Sequence, residues 1–331
     1  MQNQDRIIWA DSLKGALIIL VVLGHSIQEV LGPECFNNHI WNLIYSFHMP
    51  AFMAISGYLN YRTTGIRNRI SLLNRRFQQL MIPFFLWALI RILINPPYSA
   101  KAFVDVILYL DGAFWFLWVL FFISLLFYFG DWLAEKLNIK QEWIIGALCI
   151  LLASLMVIAD IRILGFQYIS YYFLFYSIGF YLHKYSGVLT SKDWLLFVLF
   201  ALWLLMAWNW NMHKLPDSLA IIPLPQSVLL YAYRFVVATI AIYVLVCVSP
   251  RILNTPNKWN SLFIKCGIVS LGIYTTHILI MPFVVNSIYA FTSETVLVVL
   301  LSFVIALSLS WLIVYLLSKW NVSSKLLLGK I

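Results

Sequence analysis

Charge is what this chain has least of. Only 11% of its 331 residues are charged, whereas 63% are hydrophobic and the mean hydropathy is +0.88. Soluble domains carry roughly a quarter charged residues, so too few are present here to solvate a soluble surface. Cysteine is scarce as well: Cys35, Cys149, Cys247 and Cys266 include no pair at metal or redox spacing, and they read as small apolar packing residues. Period-two alternation is missing, which excludes a membrane barrel. No small-x-small cleavage site follows the first apolar run, so that run is expected to remain as a helix, and position two carries no glycine for myristoylation. Internal repeats and low-complexity tracts are also missing. The connections, none above about 20 residues, leave no room for a folded extramembrane domain.

What is present is a series of continuous apolar windows. They lie near Ile7–Leu31, Ile40–Leu59, Leu80–Ile94, Phe114–Phe129 and Trp143–Ala159, then near Phe166–Leu182, Trp194–Trp210, Leu224–Val248, Gly267–Tyr289 and Thr295–Leu317. Each approaches the ~20 residues a bilayer-spanning helix needs, and only a helix satisfies its own backbone in hydrocarbon. The expected fold class is therefore all-α, a polytopic membrane protein with about ten transmembrane helices in a single domain spanning 1–331. Basic residues crowd one side of this arrangement, including Arg62, Arg67, Arg69, Arg75, Arg76, Lys136, Lys140, Lys184, Lys192, Arg251, Lys258 and Lys265. Only Lys101, Arg162 and Lys214 fall on the other, which places both termini in the cytoplasm. The net charge of +9 thus marks topology, and nucleic acid is not an expected partner.

Ionisable side chains inside a span are costly, so each one is a functional candidate. The first span holds Asp11, Lys14, His25 and Glu29. Lys14 and His25, eleven positions apart, differ by only about 20° around the helix axis and are separated by about 16 Å along it. Asp11 and Glu29 lie near the same face, so the four form a polar track, although Asp11 and Lys14 are also spaced to pair locally. His48 precedes Pro50, which frees a carbonyl in the preceding turn that His48 is placed to bond. Tyr274 and His277 are three apart and share a face, as cavity lining or as a satisfied core histidine. The segment from Asn60 to Gln79 carries arginines and no acid. Arginine forks match phosphate oxygens, of a cytoplasmic ligand or of anionic headgroups of the membrane lipids.

Asp11-Ser12-Leu13-Lys14-Gly15 followed by Val21-Val22-Leu23-Gly24-His25 resembles the opening signature of the acyltransferase-3 family of membrane acyltransferases. Phe47-His48-Met49-Pro50 with Ser56-Gly57-Tyr58, Arg75-Arg76 before Ile82-Pro83-Phe84, Trp115-Phe116-Leu117, and Ser270 to Tyr274 with His277 are similar to its later motifs in order. The His-Met-Pro form and the Leu-Leu-Gly-Lys segment at Leu327 to Lys330 look closest to its fucose 4-O-acetylase-like branch. A further basic residue common in that family is replaced here by Gln78-Gln79, with Arg67 and Arg69 as candidates to compensate.

The resemblance implies a multi-pass protein of the bacterial cytoplasmic membrane. It implies transfer of an acyl group, most often acetyl, from acetyl-CoA or another acyl-CoA as co-substrate, without a metal. The acceptor would be a hydroxyl of a glycan or lipid-linked sugar. Lys14, Arg67, Arg69, Arg75 and Arg76 would hold the coenzyme, with the pantetheine arm beside Lys14. His25 would act as general base or accept the acyl group, and Glu29 would orient its imidazole. His48, Ser56, Trp115, Tyr274 and His277 are candidates to line the substrate cavity. The rival expectation is a transporter or flippase using the same polar track, and oligomeric state has no signal.

Overall fold

The computed structural model describes residues 7–61, 69–94, 99–110, 114–159, 161–187, 192–255 and 257–330. Among them there is no strand. In chain order the helices are α1 (Ile8–Leu31), α2 (His39–Tyr45), α3 (His48–Tyr61), α4 (Arg69–Arg76), α5 (Ile82–Ile94), α6 (Ala100–Tyr109), α7 (Trp115–Leu137) and α8 (Gln141–Ile158). They continue with α9 (Phe166–Lys184), α10 (Asp193–Trp208), α11 (Asp217–Ala220), α12 (Gln226–Ile252), α13 (Lys258–Ile268), α14 (Ser270–Tyr289), α15 (Thr295–Leu317) and α16 (Asn321–Leu328). A 3-10 segment (Gly32–Asn37) extends α1, and a π-helical turn (Phe77–Met81) joins α4 to α5. The protein is thus a polytopic all-α membrane protein.

Among the described residues, 7 helical segments are long and apolar enough to cross a bilayer. They lie at Ile8–Asn37, Arg69–Ile94, Trp115–Leu137, Gln141–Ile158, Gln226–Ile252, Ser270–Tyr289 and Thr295–Leu317. The other expected spans differ for physical reasons. Ile40–Leu59 is built from α2 and α3, broken at Ser46-Phe47 just before Pro50. Helix α10 is apolar but has only 16 residues, and α9 dilutes its hydropathy with Tyr168, Tyr171, Tyr172, Tyr176 and Tyr181. Among the described residues, helices α4, α6, α11 and α13 stand where connections were expected, and α16 follows the last expected span.

The chain divides into two compact units, residues 1–55 with 185–313 and residues 56–184 with 314–331. In the first, α1 packs along α13 and α14, and α10 packs on α12. Lipid tails are as apolar as leucine, so helices in a membrane associate through close van der Waals packing at small residues. Gly15 and Gly267 serve that purpose: a Cβ on Gly15 would collide with the Phe263 carbonyl, and one on Gly267 with the Asp11 carbonyl. Backbone cannot move aside as a flexible side chain can. Gly267→Val is therefore expected to cost about 3 kcal/mol or more by overpacking. A thermal unfolding scan in detergent checks this, and an unchanged melting temperature would contradict the close approach of α1 to α13.

The second unit packs α7, α8 and α9 against one another and sets α16 against α5. Trp87 Nε1 donates to the Leu327 carbonyl at 2.9 Å, and Tyr128 hydroxyl to Asn60 Oδ1 at 2.6 Å. Gly57 lies against the Tyr176 backbone, a second close approach that leaves no room for a Cβ. All four cysteines are free thiols, with Cys35 and Cys266 buried.

Candidate functional site

In the first unit the helices bring three histidines and two tyrosines together. His25 projects from the outer half of α1 and His277 from the middle of α14, and their rings stack at 5.0 Å with planes 23° apart. His25 Nδ1 lies 2.9 Å from His277 Nε2, and His277 Nδ1 lies 2.7 Å from the Ile273 carbonyl oxygen. This chain has a direction. A carbonyl only accepts, so His277 Nδ1 carries a proton, and in the neutral ring its Nε2 accepts. His25 Nδ1 then donates to His277, which leaves the lone pair of His25 on Nε2. That is the form a general base requires. His277 is fully buried, whereas His25 is only half-buried and so remains open to a reactant.

Glu29, expected to orient His25, is exposed, and the Nδ1 of His25 faces His277. His48 is buried, and its Nδ1 bonds the Ile44 carbonyl at 2.7 Å, supporting the break between α2 and α3. Tyr274 is buried with its ring 6.2 Å from that of His277. Lys14 pairs with Asp11 at 2.7 Å, one turn apart on α1, so the local pairing allowed by the spacing is present. An ammonium has three donors, and the carboxylate oxygen takes one.

Tyr45 belongs to this cluster although sequence reasoning passed over it. Its ring stacks on Trp41 at 3.7 Å, meets His48 edge-on at 4.7 Å and stands 6.5 Å from His25. Its hydroxyl donates to Gln28 Oε1 at 2.8 Å. Gly24 makes room for it, since a Cβ there would come within 2.9 Å of Tyr45 Cε2. Helical spacing could not have found it, because the break at Ser46-Phe47 puts Tyr45 at the end of α2 and His48 at the start of α3.

The remaining candidates lie in the second unit or outside the described residues. Arg69 directs its fork at Asp131, with Nε at 3.1 Å and Nη2 at 3.0 Å, and also pairs with Glu135 at 2.5 Å. The guanidinium that was a candidate for phosphate is thereby tied to α7. Arg75 is exposed and Arg76 half-buried at the end of α4, and Arg67 lies outside the described residues. Trp115 stacks against Tyr168 at 4.9 Å and Tyr172 at 5.3 Å, and Ser56 is half-buried on α3. Among the described residues no group of three or more His, Cys, Asp or Glu side chains is placed to hold a metal ion. A cavity of about 460 Å³ in the first unit, between Phe47, Leu196, Phe200, Trp203, Val244 and Ser249, contains no titratable wall.

The site is thus a hydrogen-bonded pair of imidazoles, one buried and one half-buried, held between α1 and α14. Comparison with known proteins gives the class. A family profile described as an acyltransferase domain matches residues 7–315, and the chain belongs to the acyltransferase-3 family. It is similar to nodulation protein NolL of Sinorhizobium fredii, 34% identical over 191 residues, which are 53% of this chain and 48% of that protein. It is also similar to nodulation protein NolL of Mesorhizobium japonicum, 29% identical over 205 residues, 58% of this chain and 53% of that protein. The matched region spans about half the length of these curated relatives. No solved structure matches the chain.

Proposed function

We propose that the protein is a membrane O-acyltransferase of the bacterial cytoplasmic membrane. It moves an acyl group, acetyl in the simplest case, from acyl-CoA to a hydroxyl of a glycan or lipid-linked sugar. The observation that carries this reading is the relay from the Ile273 carbonyl through His277 to His25, which leaves His25 Nε2 as a base on a half-buried ring.

The step balances on His25 alone. Its Nε2 takes the proton of the acceptor hydroxyl as that oxygen forms the new C–O bond to the thioester carbonyl carbon. The carbonyl π pair moves onto oxygen. Collapse of the tetrahedral species re-forms C=O, breaks C–S and releases the coenzyme A thiolate, which takes the proton back from His25. The products are an ester and free coenzyme A. While His25 is an imidazolium, His277 Nε2 accepts its Nδ1–H and stabilises the charge, the part a carboxylate plays in a Ser-His-Asp triad.

Arg75 and Arg76 supply charge for the phosphates of the donor, where planar forks bond bidentately. The remaining donors of Lys14 offer a further contact to it. Replacing Arg75 and Arg76 by Gln is expected to weaken acetyl-CoA binding about tenfold or more and to narrow its advantage over dephospho-CoA. Arg69→Gln should lower the melting temperature yet leave that affinity within about twofold, because its fork is spent on Asp131 and Glu135. Calorimetry in detergent tests both. Unchanged affinity in the Arg75/Arg76 variant would return those arginines to a role in topology, and no binding by folded wild-type protein would overturn the donor.

A further inference from the structure

We propose that the cavity between α10 and α12 is a binding site for one acyl chain of a membrane phospholipid. The inference rests on packing and depth, and it is independent of the transferase reading.

The gap is built into the bundle. Near one end α10 and α12 are tied by Arg251, which donates to Asp193, and near the other the Tyr233 hydroxyl donates to the Met206 carbonyl at 2.6 Å. Between these ties lies the cavity of about 460 Å³, inside the ~300–1,000 Å³ range of ligand pockets. On α12 the small residues Ala241, Val244 and Val248 line it at helical spacing. On the other side Trp203 meets Phe47 edge-on at 5.2 Å and Phe200 at 5.7 Å. Ties at both ends and rings wedged between them keep the two helices from closing the gap.

The walls dictate the occupant. Every side chain that lines the cavity is apolar except for the Ser249 hydroxyl and the Trp203 indole N–H. A buried water needs 2–4 polar partners, so such a space stays dry and takes hydrocarbon. The cavity also communicates with lipid: Phe197 and Phe200 are 72% and 43% exposed, whereas Leu196, Trp203 and Ala241 beside them are buried.

Depth identifies the source of that hydrocarbon. Asp193 and Arg251 are exposed charges, which belong at the bilayer surface, and they stand about one turn beyond Leu196 and Val248. Ser249 lies at this same end. From there the lining runs inward to Ala241, about 12 Å along α12. A slot that starts just beneath the surface charges and leads into the bilayer follows the path of a phospholipid chain. A thioester or a sugar hydroxyl would find almost nothing polar on its walls.

The test uses the full-length protein in proteoliposomes containing a phospholipid with a diazirine near the end of one palmitoyl chain. After irradiation, peptide mass spectrometry reads the labelled residues. Label at Phe200, Trp203 and Val244 is expected about tenfold above that at Leu300 and Val304 on the exposed face of α15. Val244→Trp and Val248→Trp, which put an indole in the slot, should bring the cavity label down to the α15 level. Glycans extracted from the host membranes, or palmitoyl-CoA, should leave the wild-type labelling unchanged. Equal label on cavity and α15, persistence of the cavity label in both variants, or its displacement by the glycans or palmitoyl-CoA would overturn the site. If an indole prevents folding, the wild-type ratio and the competition decide. Labelling requires no turnover, so its outcome is separate from that of the transfer assays.

Discussion

His25→Ala is expected to reduce acyl transfer by about 10³-fold or more, while the protein still folds and still binds acetyl-CoA. A positioned general base contributes typically 10²–10⁴ in rate, and here no second group shares the duty. The other two histidines of the cluster have their Nδ1 atoms on backbone carbonyls, and His277 Nε2 is directed at His25 itself. Because His25 is half-buried and its neighbours on α1 pack through Gly15, Leu17, Ile18, Val21 and Val22, truncation removes one ring without opening the α1–α13 contact. Transfer rate, melting temperature and acetyl-CoA affinity measured on one preparation check this. Retained transfer would refute the role of His25.

The second large effect falls on His277. With its Nε2 removed, the Nδ1–H of His25 loses its acceptor, the ring is free to turn, and the imidazolium formed in the reaction loses a partner inside the membrane. His277→Leu should therefore cost about 10²-fold in kcat with little change in KM for acetyl-CoA, since the interaction matters only once His25 takes up charge. His277→Gln, whose amide oxygen can accept the same hydrogen bond, should restore part of that rate at a similar melting temperature. A purely structural histidine would show no such difference between Leu and Gln. Glu29→Gln provides the contrast: its carboxylate is exposed, and the rate should stay within about twofold. A larger loss for Glu29→Gln than for His277→Leu would return the orienting role to the carboxylate.

The residues that local rules describe were legible in the sequence. Apolar run length located the 7 segments long and apolar enough to cross a bilayer but also counted α9, α10 and the α2–α3 pair, and the proximity of Asp11 to Lys14 allowed the ion pair that forms. What no local pattern encodes is long-range pairing. The partner of His25 lies in α14, 252 positions away, so a carboxylate one turn along α1 was the only candidate that periodicity offered. The same holds for Arg69: the segment around it contains no acid, and its partners Asp131 and Glu135 arrive from α7. Gly15, Gly24 and Gly267 read in sequence as ordinary small residues. Their use appears only once the Phe263 and Asp11 carbonyls and the Tyr45 ring are seen occupying the space where a Cβ would stand.

The helices α6, α13 and α16 were missed because each is too short for a span and α13 carries Lys258 and Lys265, which hydropathy assigns to a connection. Packing against α1 makes α13 a helix in spite of its composition. Local preference is weak evidence when tertiary contact decides.

The most direct test of the account is the stoichiometry of the reaction in proteoliposomes: coenzyme A thiol released from acetyl-CoA against acetyl ester formed on the extracted glycans, for the wild-type protein and for His25→Ala. The account predicts one thiol for each ester in the wild type and the loss of both together in the variant. Movement of glycan across the bilayer with no thiol released, or equal ester formation by His25→Ala, would contradict it.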